Sequence, residues 1–266
     1  MPAPNLGPAF FYPVVSKMPN ETLDSLTIGR LQLMQAEKGY RYSLDPILLT
    51  GFVRVKHWNR IVDLGTGCGI IPLLMAKKSD ADELIGIELQ PGLADRARRN
   101  VVLNSMQERV KIQQGDVRSV ERFLPAKHAD LVLCNPPYRA IGSGRIAPDD
   151  ERAIARHELA GGLGEFIAAA AWLLKNRGTF AIIHLAERLP QVIEQMIKKG
   201  IEPKRLRCVH SYPGADARLV LLEGRKGARP GLQIEPPLFI YQQQGATRNY
   251  SEELLRLYAL DSVGAD

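Results

Sequence analysis

The sequence predicts an α/β fold: one seven-stranded, mostly parallel sheet flanked by helices, with an antiparallel hairpin at its C-terminal edge. Three observations predict it. From about residue 60, short apolar runs alternate with helical stretches, the pattern of parallel strands joined by crossover helices. The last two β-rich segments are separated only by Pro-Gly-Ala-Asp, too short for a parallel crossover, so they pair antiparallel. A glycine-rich turn joins the first of the apolar runs to the first of the helices, where open α/β sheets bind ligands.

In chain order the strands are RIVDLG (60–65), ELIGIEL (83–89), VKIQQGD (110–116), ADLVLC (129–134), TFAIIHL (179–185), RLRCVHSY (205–212) and ARLVLLEGR (217–225). Between them lie the helical segments IIPLLMAKK, GLADRARRNVVLN, LGEFIAAAAWLLKN and ERLPQVIEQMIKK. Gly178 and Gly200 follow the last two helices, the usual place for a helix-stopping glycine. The 266 residues suit one domain over 22–266, with a core at 59–230 and an extension at 231–266. Residues 1–21 read as an extended proline-rich arm, since five prolines fall in the first twenty positions without the basic start or apolar core of a secretory signal.

No apolar run approaches the roughly 20 residues a membrane helix requires, so no membrane partner is expected. Lys and Arg number 35 against 29 Asp and Glu, a formal charge of +6 that suits a polyanionic partner. Cys68, Cys134 and Cys208 are too scattered for a metal site or a disulfide framework. A reducing cytoplasm is the expected location.

In IVDLGTGCGIIPLLMA, Asp63, Gly65, Gly67 and Gly69 stand between strand and helix, where glycines let the backbone turn sharply and approach a ligand. The spacing is G-x-G-x-G, and a cofactor without a pyrophosphate has no need of the dinucleotide pattern. Glu88, ending the second strand, is placed to accept hydrogen bonds from both hydroxyls of a ribose. Asp116, ending the third, is placed to meet an adenine amino group. Singly, each carboxylate also reads as a helix cap or a solvated loop acid. Together with the glycines they indicate a nucleoside-type cofactor. Here the chain resembles the Rossmann-like class I methyltransferases that use S-adenosyl-L-methionine. The resemblance implies that Asp63 and the glycines lie beside the methionine part, with Glu88 on the ribose and Asp116 on the adenine.

The fourth strand ends in Asn135-Pro136-Pro137-Tyr138. An amine conjugated to a ring or a carbonyl is a poor nucleophile, because its lone pair is delocalised. Two acceptors, the Asn135 side-chain oxygen and the Pro136 carbonyl, can each take one N–H and turn the lone pair toward the methyl group. The prolines stiffen the backbone that presents the carbonyl and remove N–H donors. Tyr138 would stack on a base, and Asn135 would also border the cofactor. The plain alternative is a strand terminated by Pro-Pro with Asn135 capping a turn.

Asn-Pro-Pro-Tyr resembles the signature shared by adenine-N6 methyltransferases of nucleic acids and glutamine-N5 methyltransferases of release factors, and the motif itself fits either amine. The stretch GYRYSLD, with Gly39, Tyr40, Ser43 and Asp45, precedes an apolar helix and is similar to the opening of the tRNA1(Val) adenine-N6 methyltransferase family. That resemblance covers roughly residues 22–258. It implies that segment 22–58 covers the cofactor, with Tyr40, Ser43 and Asp45 helping to hold it, and that the substrate is RNA, a tRNA near its anticodon, with a protein glutamine or an rRNA base amine as the alternatives. Arg139, Arg145, Arg152 and Arg156 follow the motif in the loop that would lie over the substrate, and are the candidates for its phosphates. Two further basic groups are Lys198, Lys199, Lys204, Arg205 and Arg207, and then Arg225, Lys226 and Arg229. His157 and His184 have no partner pattern for a metal or a nucleophile and read as structural, and a monomer is expected.

Overall fold

The computed structural model describes residues 17–38, 41, 43–54, 56–138, 162–245 and 249–258. A β-hairpin comes first, β1 (Glu21–Leu26) pairing antiparallel with β2 (Leu31–Ala36) as a separate two-stranded sheet. Helix α1 (Asp45–Phe52) follows, with Pro46 in its first turn, where a missing N–H costs nothing. The central sheet then opens: β3 (Arg60–Leu64), α2 (Ile70–Lys78), β4 (Glu83–Glu88), α3 (Pro91–Leu103), β5 (Val110–Gln114), a 3-10 turn at Val117–Arg122, and β6 (Ala129–Cys134). After the residues outside the description come α4 (Leu163–Leu173), β7 (Leu174–Leu185), α5 (Leu189–Lys198), β8 (Ile201–His210) and β9 (Ala217–Lys226). Two short strands, β10 (Gln233–Ile234) and β11 (Leu238–Phe239), and helix α6 (Glu252–Tyr258) complete it.

The strand order is β10-β8-β9-β7-β6-β3-β4-β5, with β11 also on β8. Strands β3 to β7 are parallel, and β9 runs antiparallel to both β7 and β8. The seven long strands are those the sequence predicts. The extension after residue 230 adds β10 and β11 beyond β8, so the count in this sheet is nine rather than seven.

The inner strands are buried on both faces and their side chains alternate between two cores, while β5 at the edge exposes Lys111, Gln113 and Gln114. Ile61, Leu131, Leu133, Ala181 and Ile183 join α1, α2 and the hairpin on one side. Val62, Leu64, Ile85, Val132, Phe180 and Ile182 meet α4 and α5 on the other.

The hairpin is not foreseen in the sequence, and besides packing Leu26, Leu31 and Leu33 into the first of these cores it is held by polar clamps. Asn100 of α3 accepts from Met34 N–H at 2.7 Å and donates to Met34 C=O at 3.1 Å. One turn on, Asn104 repeats the arrangement with Gln32, at 2.9 and 2.7 Å. Two asparagine amides thus satisfy the outward backbone groups of β2 that a further strand would otherwise take. The Asn100 amide also donates to the Cys68 carbonyl in the glycine loop at 2.9 Å. Glu21, only 3% exposed, receives Arg96 at 2.9 Å and Arg99 at 2.6 and 2.7 Å.

One expectation needs correction. The helix starting at Leu163 was expected to reach Asn176 and stop at Gly178, but it ends at Leu173, and Leu174 already pairs with Ala129 of β6. Leu174 is fully buried, and Lys175 is drawn to Asp130 at 2.6 Å. Residues 175–178 bulge out before Thr179 resumes pairing, opposite Leu131. A Cβ on Gly178 would lie 2.9 Å from the Lys175 carbonyl, so this glycine serves a close backbone approach and not a helix stop. Gly200, by contrast, has φ +72° and ends α5 as expected.

Candidate active site

The carboxyl ends of β3, β4 and β6 meet along one edge. Leu64 is in register with both Ile87 and Cys134, so Gly65, Glu88 and Asn135 leave the sheet side by side. Gly65 and Gly69 adopt φ of +73° and +85°, the left-handed region that favours glycine. A Cβ on Gly69 would also press within 3.2 Å of Ala97 on α3.

Asp63 is 1% exposed, and neither carboxylate oxygen has a hydrogen-bond partner among the described residues. Burial pushes its carboxyl up to about 7, the nearby Thr66 hydroxyl opposing and the Glu88 charge adding to the rise. A buried acid left without donors is a costly group to retain, and it marks a place where a cation would be welcome. Glu88, buried beside it, accepts from the Gly67 and Gln90 amides at 2.9 Å each and braces the glycine loop. Asp116 caps the 3-10 turn through Arg118 N–H at 2.9 Å, and the Arg118 guanidinium, 2.6 Å away, holds its carboxyl below the usual range.

Asn135 and Tyr138 come together with a residue the sequence placed far upstream. The Tyr138 hydroxyl donates to Asp45 Oδ2 at 2.6 Å and lies 3.1 Å from Asn135 Oδ1. Burial raises the Asp45 carboxyl, with the Tyr138 hydrogen bond opposing. Ser43 Oγ accepts from Asp45 N–H at 3.3 Å at the start of the helix. The N-terminus of α1 is thereby tied to the Asn-Pro-Pro-Tyr loop. The Tyr138 ring packs at 5.3 Å and 60° against His184, from the carboxyl end of β7.

His184 is buried and its Nδ1 accepts from Leu185 N–H at 2.8 Å. Burial first, then the Arg188 charge, holds the imidazole down at about 4, so it is neutral at physiological pH. The Arg188 guanidinium reaches the Tyr138 carbonyl at 3.5 Å. His184 and Arg188 supporting Tyr138, and Thr66 beside Asp63, are contacts the sequence reading missed. A histidine ending the strand after the Asn-Pro-Pro-Tyr strand was the available signal.

Tyr40, Arg139, Arg145, Arg152, Arg156 and His157 lie outside the described residues. Of the later basic groups, Arg205 is buried against Glu223 and Glu235 at 2.6 and 2.8 Å, above the Phe52 ring. Arg207 pairs with Glu253 at 2.7 Å, and Lys226 donates to the Ala171 and Leu174 carbonyls at the end of α4. These three are spent within the fold. The buried Cys68 and Cys134 have their thiols pushed up by desolvation, Cys68 to about 11, which leaves neither as a nucleophile.

Residues 46–202 match the family model of the methyltransferase small domain. A tRNA1(Val) (adenine(37)-N6)-methyltransferase of Porphyromonas gingivalis is 29% identical over 240 residues, 88% of this chain and 93% of that protein. A protein of the same name from Aeromonas salmonicida is 33% identical over 214 residues, covering 80% and 86%. Among solved structures, a predicted O-methyltransferase from Agrobacterium tumefaciens aligns with a TM-score of 0.66 at 23% identity, over 81% of this chain and 96% of that one, a likeness of fold.

Proposed function

The chain belongs to the methyltransferase small domain family, and from that premise we propose that it methylates N6 of an adenine in RNA, a tRNA near its anticodon, using S-adenosyl-L-methionine. One juxtaposition carries the reading: the buried, unpartnered carboxylate of Asp63 stands one strand away from Asn135. The residues suit the cofactor, whose methionine part is cationic. Asp63 and the backbone of Gly65, Gly67 and Gly69 would hold that part, Glu88 the ribose and Asp116 the adenine, with Tyr40, Ser43 and Asp45 covering them. When bound, the cofactor supplies a methyl group on a positively charged sulfur.

Asn135 Oδ1 and the Pro136 carbonyl accept the two N–H bonds of the target amine, which turns its lone pair out of conjugation. Bond formation puts positive charge on the nitrogen and makes its N–H acidic enough to pass the proton to water, so no general base is needed beforehand, and the gain comes from position and electrostatics. Tyr138, already oriented by Asp45 and His184, stacks on the base. Adenine is favoured over a glutamine amide by the names of the relatives and by the net positive charge.

The test is transfer of labelled methyl into tRNA lacking the modification, followed by nucleoside mass spectrometry. N6-methyladenosine is the expected product. A release-factor glutamine methylated in its place would overturn the choice of substrate.

A second expectation concerns protons. With Asp63 at about 7 in the cofactor-free protein, binding a cation beside it favours the carboxylate and expels a proton. Cofactor affinity should therefore rise between about pH 5 and pH 7 and then level off. Calorimetry in buffers of different ionisation enthalpy should detect the released proton, and Asp63→Asn should abolish both the release and the pH dependence.

A further inference from the structure

At the edge of the sheet opposite the candidate active site, a cavity of about 490 Å³ is lined by Arg177, Lys204, Arg225 and Arg229, with no carboxylate and no aromatic ring among the described residues that line it. A second cavity of about 260 Å³ shares Arg177 and Arg225 with it and adds Lys56, His57 and Lys175. Its one carboxylate, Asp130, is already committed to Lys175 and to the Asn59 and Arg60 amides. We propose that these joined cavities bind consecutive phosphates of the RNA substrate, well away from the base being modified.

Four observations support this. Arg177, Arg225 and Arg229 form no ion pair among the described residues, although their neighbours Arg205 and Arg207 do. Arg177 has φ +63°, an uncommon conformation for a bulky side chain, and it sits on the bulge at 175–178 that breaks the β6–β7 register. Lys56 is held below its ordinary value by burial and then by Arg225, with the Glu223 charge opposing, as expected where cations crowd together. Among the described residues Lys204 reaches only a carbonyl, that of Arg229, at 3.2 Å. The absence of aromatic lining in the larger cavity suits backbone charge rather than stacked bases, and the extended tract suits a polymer rather than a single ion.

Arg225 is in register with Thr179, which is in register with Leu131, four positions before Asn135. At about 3.3 Å per residue the cationic tract lies roughly 15 to 20 Å from the amine-binding loop. An RNA engaging both must pass round the sheet edge, a path longer than this straight line, so the tract meets the RNA outside the loop that carries the modified base.

The inference rests on the RNA substrate proposed above, and the experiment separates the two. Binding of unmodified total tRNA and of a short anticodon stem-loop is followed by fluorescence anisotropy over a salt series, for wild type and the R177A/R225A/R229A variant. S-adenosyl-L-methionine affinity serves as the folding control. The variant should bind tRNA about 10- to 100-fold more weakly, with a salt slope lower by about 2, while stem-loop binding changes less than threefold. An unchanged tRNA affinity and slope in an enzyme that does methylate RNA would overturn the cavity and leave the substrate intact. Equal weakening on the stem-loop, or complete displacement of tRNA from the tract by millimolar inorganic phosphate, would also overturn it. Wild-type protein that binds tRNA through these arginines yet methylates only a protein would support the cavity and overturn the substrate.

Discussion

Replacement of Asn135 by alanine should lower the methyl-transfer rate by about 10²- to 10³-fold at saturating S-adenosyl-L-methionine, a loss in the transfer step beyond any loss of cofactor affinity. The change removes the side-chain acceptor and leaves the Pro136 carbonyl, so one N–H of the amine loses the partner that turns its lone pair. The half-buried position of Asn135 and the independent tie of Tyr138 to Asp45 argue that the loop survives the substitution. Single-turnover transfer with saturating RNA reads this directly. Tyr138→Phe keeps the stacking face and loses the 2.6 Å bond to Asp45, so a smaller loss of about tenfold is expected. An Asn135→Ala protein with near wild-type transfer would remove the central assumption of the mechanism.

Glu21→Ala should cost about 3 to 5 kcal/mol of stability at neutral pH, measured by denaturant unfolding, because it removes the buried carboxylate that both Arg96 and Arg99 engage in a site sheltered from water. Arg96 is 7% exposed and lies 2.9 Å from this carboxylate, and Arg99 has both this carboxylate and Asp95 as its partners. The hydrogen bonds of Arg99, ahead of those of Arg96 and Met18, hold the Glu21 carboxyl at about 2, against an ordinary 4.5. A carboxyl lowered on folding contributes stability that is complete above the unfolded value and is lost as pH falls from about 4.5 through about 2. The wild-type protein should therefore lose stability over that interval more steeply than Glu21→Ala, and the two curves should converge in acid.

The sheet was legible because its inner strands are buried on both faces and read as apolar runs such as ADLVLC, and because Gly65 and Gly69 must be glycine where they stand. The edge that carries Asp63, Glu88 and Asn135 followed from that periodicity. What the sequence did not disclose were relations between distant residues. ETLDSL and LQLMQA alternate poorly, since β2 buries both Met34 and Gln35, so the hairpin had no clear period of two. The early end of α4 was hidden because Leu174 suits a helix as well as a strand, and its pairing with Ala129 is a relation between residues far apart in the chain. The same holds for Tyr138, whose partners Asp45 and His184 lie on opposite sides of it in the chain.

The asparagine clamps on β2 set a length. Four residues of helix rise about 6.0 Å, and two residues of strand advance about 6.8 Å. Asn100 and Asn104 can therefore meet Met34 and Gln32 with small adjustments, but a third rung would drift out of reach, like the marks of a vernier. A slip of β2 by one residue would offer α3 the backbone groups already turned toward β1. Since the Asn100 amide also holds the Cys68 carbonyl, the hairpin is indexed to the glycine loop by a single side chain, and an insertion in β2 would be felt at the far end of that amide.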